Sequence, residues 1–173
     1  ATNGFYRTNM TITASFTSGW VFVTWTGTTN GCTIASNRIT VVMDRARDIT
    51  AIAAIDQVTL NVATLYGTSV PPVGATTTNW SSSIDARVTT PVMLGTDTQY
   101  VCVGWSGTGS VTNGTGTNTT FTITNNSSLT WLWTTNYMLT LDATNCTLNA
   151  TNGFYKTNMT ITASFTSGWV FVT

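Results

Sequence analysis

Side-chain chemistry needs titratable or nucleophilic groups brought together, and this 173-residue sequence holds few of either. Its six acids are all Asp, His is absent, and the thiols are Cys32, Cys102 and Cys146. Without His there is no His-based catalytic triad and no common zinc set, and the cysteines lack metal-ligand spacing. Asp44 and Asp48 bracket Arg45 and Arg47, a pattern that predicts an ion-pair cluster on a solvated turn rather than a general acid and base. The glycine-rich run GTGSVTNGTG (107–116) contains no Lys and leads into a strand pattern, so it does not read as a phosphate cradle. No catalytic residue, metal or cofactor is expected, and the chain does not read as an enzyme.

Two patterns could serve recognition or modification instead. LTWLWTT (129–135) puts Trp131 and Trp133 on one strand face. Exposed, the two rings would form a platform for sugars; turned inward, they would be core. Core is the favoured reading, because Ala51 and Ala53 stand at the equivalent places 80 residues earlier, and large opposite small predicts interdigitation. Asn-x-Ser/Thr triplets begin at Asn9, Asn79, Asn113, Asn118, Asn125, Asn126, Asn145, Asn149 and Asn158, each a glycan acceptor if the chain is secreted. Secretion would also permit a Cys32–Cys146 disulfide, with Cys102 left as a buried thiol.

Composition narrows the function further. Hydrophobic residues make up 42% and seven are Trp, which argues against disorder. Charged residues are only 7%, and Thr takes their place with 42 positions. A net charge of zero offers no electrostatic footprint for nucleic acid or an anionic membrane, and no apolar run is long enough to span a bilayer. Neutral surfaces favour association, a useful property in a self-assembling extracellular material.

The elements that must carry these residues are set by repeats. Residues 1–24 (ATNGFYRTNMTITASFTSGWVFVT) recur at 150–173 with one change, Arg7 to Lys156, an offset of 149. A fainter repeat lies beneath it, where WVFVTWTGT (20–28) aligns with YVCVGWSGT (100–108) at an offset of 80, and ITAI (49–52) aligns with LTWL (129–132). After one residue of slippage VTLNVAT (58–64) aligns with LTLDAT (139–144).

Period-two alternation and β-branched residues predict strands at 10–16, 20–25, 39–43, 49–55, 58–63, 84–89, 99–105, 119–124, 129–133 and 137–141. MDRARD (43–48) reads as a tight connection. The fold expected is all-β, with two related small antiparallel β-modules per 149-residue tandem repeat, arranged head-to-tail. The first module would cover 1–57, the second 58–144, and 145–173 would begin the next repeat. Within the modules Trp20, Phe22 and Trp25, and their counterparts Tyr100, Cys102 and Trp105, are expected as core and lid, just before turns at Gly27 and Gly107 that call for positive φ.

The pattern aromatic-x-[FC]-x-x-W-[TS]-G, carried by Trp20, Phe22, Trp25, Gly27 and by Tyr100, Cys102, Trp105, Gly107, resembles the divergent internalin-B-type repeats found in tandem in large bacterial surface proteins. The resemblance implies small β-domains acting as spacers, stalks or adhesive arrays, without catalytic residues. The expectation is an extracellular or cell-surface structural repeat whose partners are neighbouring copies of itself, with an adhesin that binds surface glycans as the alternative. Because 150–173 stops before the residue equivalent to Trp25, the next copy or a neighbouring molecule is expected to complete it.

Overall fold

The computed structural model describes residues 4–6, 8–156, 159–165, 167–168 and 170. They are strands and turns, with no helix among the described residues. They fall into two units, Ala1–Val58 with Thr77–Ser82, and Thr59–Thr76 with Ser83–Thr173.

The first unit carries β1 (Met10–Thr13), β2 (Trp20–Gly27), β3 (Thr33–Ala35), β4 (Arg38–Val41) and β5 (Ile49–Ile55). β4 lies between β1 and β3 in one sheet, while β2 and β5 pair as a two-stranded antiparallel sheet of their own, a hairpin whose long connection holds β3 and β4. Antiparallel register sets Met10 opposite Val41 and Ile12 opposite Ile39. Trp25, Ile39 and Val41 are the buried centre of this unit, and Ile12, Ala14, Phe22, Met43, Ile49 and Ala51 pack around them. Trp80 also belongs here: its N–H bonds the Asp56 carbonyl at 2.8 Å, and its ring occupies the space a side chain on Gly19 would need.

One irregularity organises the hairpin. Phe22 pairs with Ala53, but Thr24 pairs with Ile52 and Trp25 with Ala51, so Val23 is an extra residue in β2. In a regular strand residues three apart face opposite ways. The bulge at Val23 lets Phe22 and Trp25 share one face, opposite Ala53 and Ala51, and leaves Val23 exposed.

From there the strands are β6 (Gln57–Ala63), β7 (Ser69–Val70), β8 (Gly74–Asn79), β9 (Ser82–Val88), β10 (Val92–Leu94), β11 (Thr98–Thr108), β12 (Gly114–Thr115), β13 (Asn118–Ile123), β14 (Ser127–Leu139), β15 (Cys146–Leu148), β16 (Gly153–Tyr155) and β17 (Ala163–Phe165). The principal sheet runs β10-β11-β14-β6-β8, with β12 on β11 and β16 on β14, and a smaller sheet runs β13-β9-β7. The bulge recurs in β11. Cys102 pairs with Trp133, Gly104 with Leu132 and Trp105 with Trp131, so Val103 is the extra residue, 80 positions after Val23.

The fold is all-β, but not every pair is antiparallel. β6 runs parallel to β14, with Leu60 beside Ser127 and Val62 beside Leu129. A parallel pair needs a long crossover, and the chain between β6 and β14 supplies it. The strands expected at 129–133 and 137–141 are one strand, since Thr134, Thr135 and Asn136 pair with Val101, Tyr100 and Gln99 instead of turning.

The two copies of the 24-residue stretch behave differently. Met10–Thr13 is a strand paired with β4, whereas 159–162 forms none, and Ala163–Phe165 pairs instead with Cys146–Leu148. A strand needs a partner, and in the second copy that partner is β15, taken by 163–165 instead of 159–162.

Deleting Val103 would restore regular alternation and turn Trp105 to the outer face. The expected loss in urea denaturation is about 3–5 kcal/mol, like that of Trp105→Ala, while Val103→Thr should stay within about 0.5 kcal/mol. Equal effects of the deletion and of Val103→Thr would contradict the role given to the bulge.

Candidate functional site

The bulged hairpins hold most of the aromatic residues that the sequence singles out. Trp25 and Trp105 are both 8% exposed and close the core beside their bulges. Each indole N–H finds a backbone acceptor, Ser36 O at 3.1 Å for Trp25 and Thr112 O at 2.8 Å for Trp105, as buried indoles require. Phe22 packs between Phe16 and Trp25, with ring centroids 6.1 and 5.7 Å away. Gly27 has φ +93°, and a Cβ there would strike the Asp48 carbonyl oxygen. Gly107 needs no positive φ; it is glycine because Val111 fills the space of a side chain.

Trp20 departs from the expectation of a core residue, being 48% exposed. It sits at the open end of β2 opposite Ile55, which is exposed as well, so the covered face stops short of both. Tyr100 is half-buried and stacks on Tyr66 at 3.6 Å with planes 5° apart. A hydrogen bond to Tyr66, with some desolvation, pushes the Tyr100 phenol above its ordinary value.

Trp131 is 2% exposed and meets Trp105 edge-on at 5.7 Å, so it lies in the core. Trp133 is half-buried, donates to Thr64 Oγ1 at 2.9 Å and takes the edge of Tyr66 at 5.7 Å. The exposed coplanar platform weighed for Trp131 and Trp133 is therefore not formed, because other rings occupy their faces. Tyr66 was missed in the sequence; no strand pattern marks the turn that carries it.

The charged turn is more structural than a solvated ion-pair cluster. Arg47 is 3% exposed along its side chain and bonds the carbonyls of Val42 at 2.9 Å, Thr28 at 3.1 Å and Asn30, besides Asp44 Oδ1 at 2.8 Å. It fastens the turn after β2 to the turn after β4. The hydrogen bond from Arg45 is the largest influence and, with that from Arg47 and the charge of both guanidinium groups, holds the Asp44 carboxyl below its ordinary value against desolvation. No metal-binding group of His, Cys, Asp or Glu exists among the described residues.

All three cysteines are free thiols, and Cys32 and Cys146 lie in different units. Cys102 is buried, and desolvation pushes its thiol up. Asn9, Asn79, Asn113, Asn118, Asn125, Asn126, Asn145 and Asn149 are exposed, and Asn158 lies outside the described residues. Some already hold backbone: Asn113 Oδ1 accepts from Gly107 N at 2.8 Å and Asn126 Oδ1 from Thr59 N at 2.9 Å.

The first unit also contains a recess of about 610 Å³ beside β5, lined by Trp25, Val41, Met43, Ile49, Ala51 and neighbours on β1. Its walls mix apolar side chains from β1, β2, β4 and β5 with the polar Thr13, Arg47 and Asp48. An interface is what such a site can offer.

Residues 3–53 match the divergent InlB B-repeat domain. The matched B-repeat segment contains β1 to β4, the bulge at Val23, the Trp25 lid and most of β5. This stretch is therefore similar to a repeat module. No curated protein and no solved structure matches the chain.

Two outcomes test the B-repeat segment and its companion. Iodoacetamide should label Cys32 and Cys146 in the native protein and reach Cys102 only on unfolding; mass spectrometry would reveal early Cys102 labelling. For Asp44, whose folded pKa is depressed, the contribution to stability is present above the ordinary value near 3.8 and is lost as pH falls through the lower folded value. Melting curves between about pH 5 and pH 2 should thus converge for wild type and Asp44→Asn at the acid end; parallel curves would refute this.

Proposed function

We propose that this chain is a structural repeat unit of an extracellular filament, stalk or sheath at a cell surface, polymerising head-to-tail through a continuous tandem-repeat polypeptide. The observation that carries this reading is the return of residues 1–24 at 150–173, 149 positions on, with the bulged hairpin repeated inside the period. The B-repeat match over 3–53 supports the surface location. So does a neutral Thr-rich exterior, which tolerates close lateral packing. Catalysis, nucleic-acid binding and cofactors have no part in this reading. Strand donation between separate molecules is the variant form of the same assembly.

The second reading is an adhesin array that binds surface glycans, its avidity raised by repetition. With Trp131 in the core, sugar stacking falls to the half-buried Tyr66, Tyr100 and Trp133.

Denaturing electrophoresis and electron microscopy of native material test the first reading. The expected result is a polypeptide many periods long and fibres with an axial repeat of one period. A band near one period together with dispersed monomers would overturn it. Glycan-array binding by this chain that Trp133→Ala abolishes would put the adhesin first.

A further inference from the structure

The recess beside β5 has an occupied counterpart in the second unit. There β14, the equivalent of β5, has β11 on one edge and β6 on the other, β6 running parallel with Leu60, Asn61, Val62 and Ala63 beside Ser127, Ser128, Leu129 and Thr130. Leu60 and Val62 are 1% exposed, and Ile123, Leu129 and Trp131 are equally buried. In the first unit β5 has β2 on one edge and, among the described residues, no strand on the other. Met43, Ile49 and Ala51, which stand 80 positions before Ile123, Leu129 and Trp131, line the recess. Ala51 in place of a Trp widens the space, and the recess is partly open to solvent.

The sequence contains a segment that fits. β6 follows β5 after the single residue Asp56, so one strand leads almost directly into the next. LTLDAT (139–144) begins at Leu139, the last residue of β14, which pairs with Gly153, and it matches VTLNVAT (58–64), Leu141 and Ala143 standing for Leu60 and Val62. In this chain residues 140–145 form no strand.

We infer that residues 140–144 of one period form a parallel strand on the open edge of β5 in the following period and fill its recess with Leu141 and Ala143. The register copied from β6 and β14 puts Leu141 beside Arg47, Asp142 beside Asp48, Ala143 beside Ile49 and Thr144 beside Thr50. Backbone pairing is offered by the free edge, and side-chain specificity by the recess. The like charges of Asp142 and Asp48 oppose the pairing, which Asp142→Asn should strengthen. Every joint between periods would then repeat the strand arrangement that β6 makes with β14. This inference rests on the tandem-array reading and names the joint that array would use.

The test places residues 136–149 ahead of Ala1 in the 173-residue chain, as the preceding period would. Hydrogen exchange followed by mass spectrometry should show amides around Ile49 to Ala51 slowed about tenfold or more relative to the unextended chain. Leu141→Asp in the extension alone should abolish that slowing, and the altered residue lies outside both folded units, so misfolding cannot mimic the loss. Unchanged exchange with the native extension, or equal slowing with Leu141→Asp or a scrambled extension, would overturn the joint. The assembly reading fails separately: β5 protection by the extension in a protein whose native chain is one period long would make the joint a strand donated between molecules. A long native array with an unprotected β5 would retain the array and discard the joint.

Discussion

A single extra residue in one strand of a hairpin determines how each unit is built. Without the bulges at Val23 and Val103, Trp25 and Trp105 would point away from Phe22 and Cys102. The bulges bring each pair to one face, where the indole covers the core and its N–H reaches a loop carbonyl. The rest follows from that covered face. β1 and β4 supply Ile12, Ile39 and Val41 against it in the first unit, and Trp131 meets Trp105 on it in the second. A chain with so few charges has little else with which to specify packing, so large rings in fixed positions do most of it.

The units differ in what stands beside the hairpin. β14 has neighbours on both edges and a dense interior, while among the described residues β5 has one neighbour and a recess where Ala51 replaces a Trp. An exposed strand edge is a template for pairing, and natural proteins usually block it with charge, proline or a covering loop. Arg47 and Asp48 lie near the start of this edge, but Arg47 is engaged in bonding turn carbonyls. The edge is left open at Ile49 and Thr50, the positions at whose counterparts β14 accepts β6. That asymmetry is what turns a duplicated sequence into a reading about assembly.

Much of the fold was legible because alternation and turn chemistry report local geometry. The strand at 49–55 agrees in both bounds, and the connection at 43–48 is not helical. Short strands such as β3, β7, β10 and β12 left no pattern, since two or three residues cannot display a period. Trp20 shows a different limit. Its type and spacing match a core position, yet it lies where the covering sheet ends, and no local signal marks that place. Arg47 is the reverse case: a charged residue in a charged turn whose burial depends on carbonyls contributed by a distant turn.

Sequence by itself determined the all-β class, the two periodicities and the poverty of catalytic chemistry, because these depend on residue type and order along the chain. It also located the aromatic hairpins through an 80-residue offset that the two bulges share. Tertiary structure decided which strands find partners. The same letters form β1 at 10–13, paired with β4, and no strand at 159–162, where the next residues pair with β15 instead. Strand formation draws its stability from pairing and from the face a partner covers, and neither is encoded within the strand.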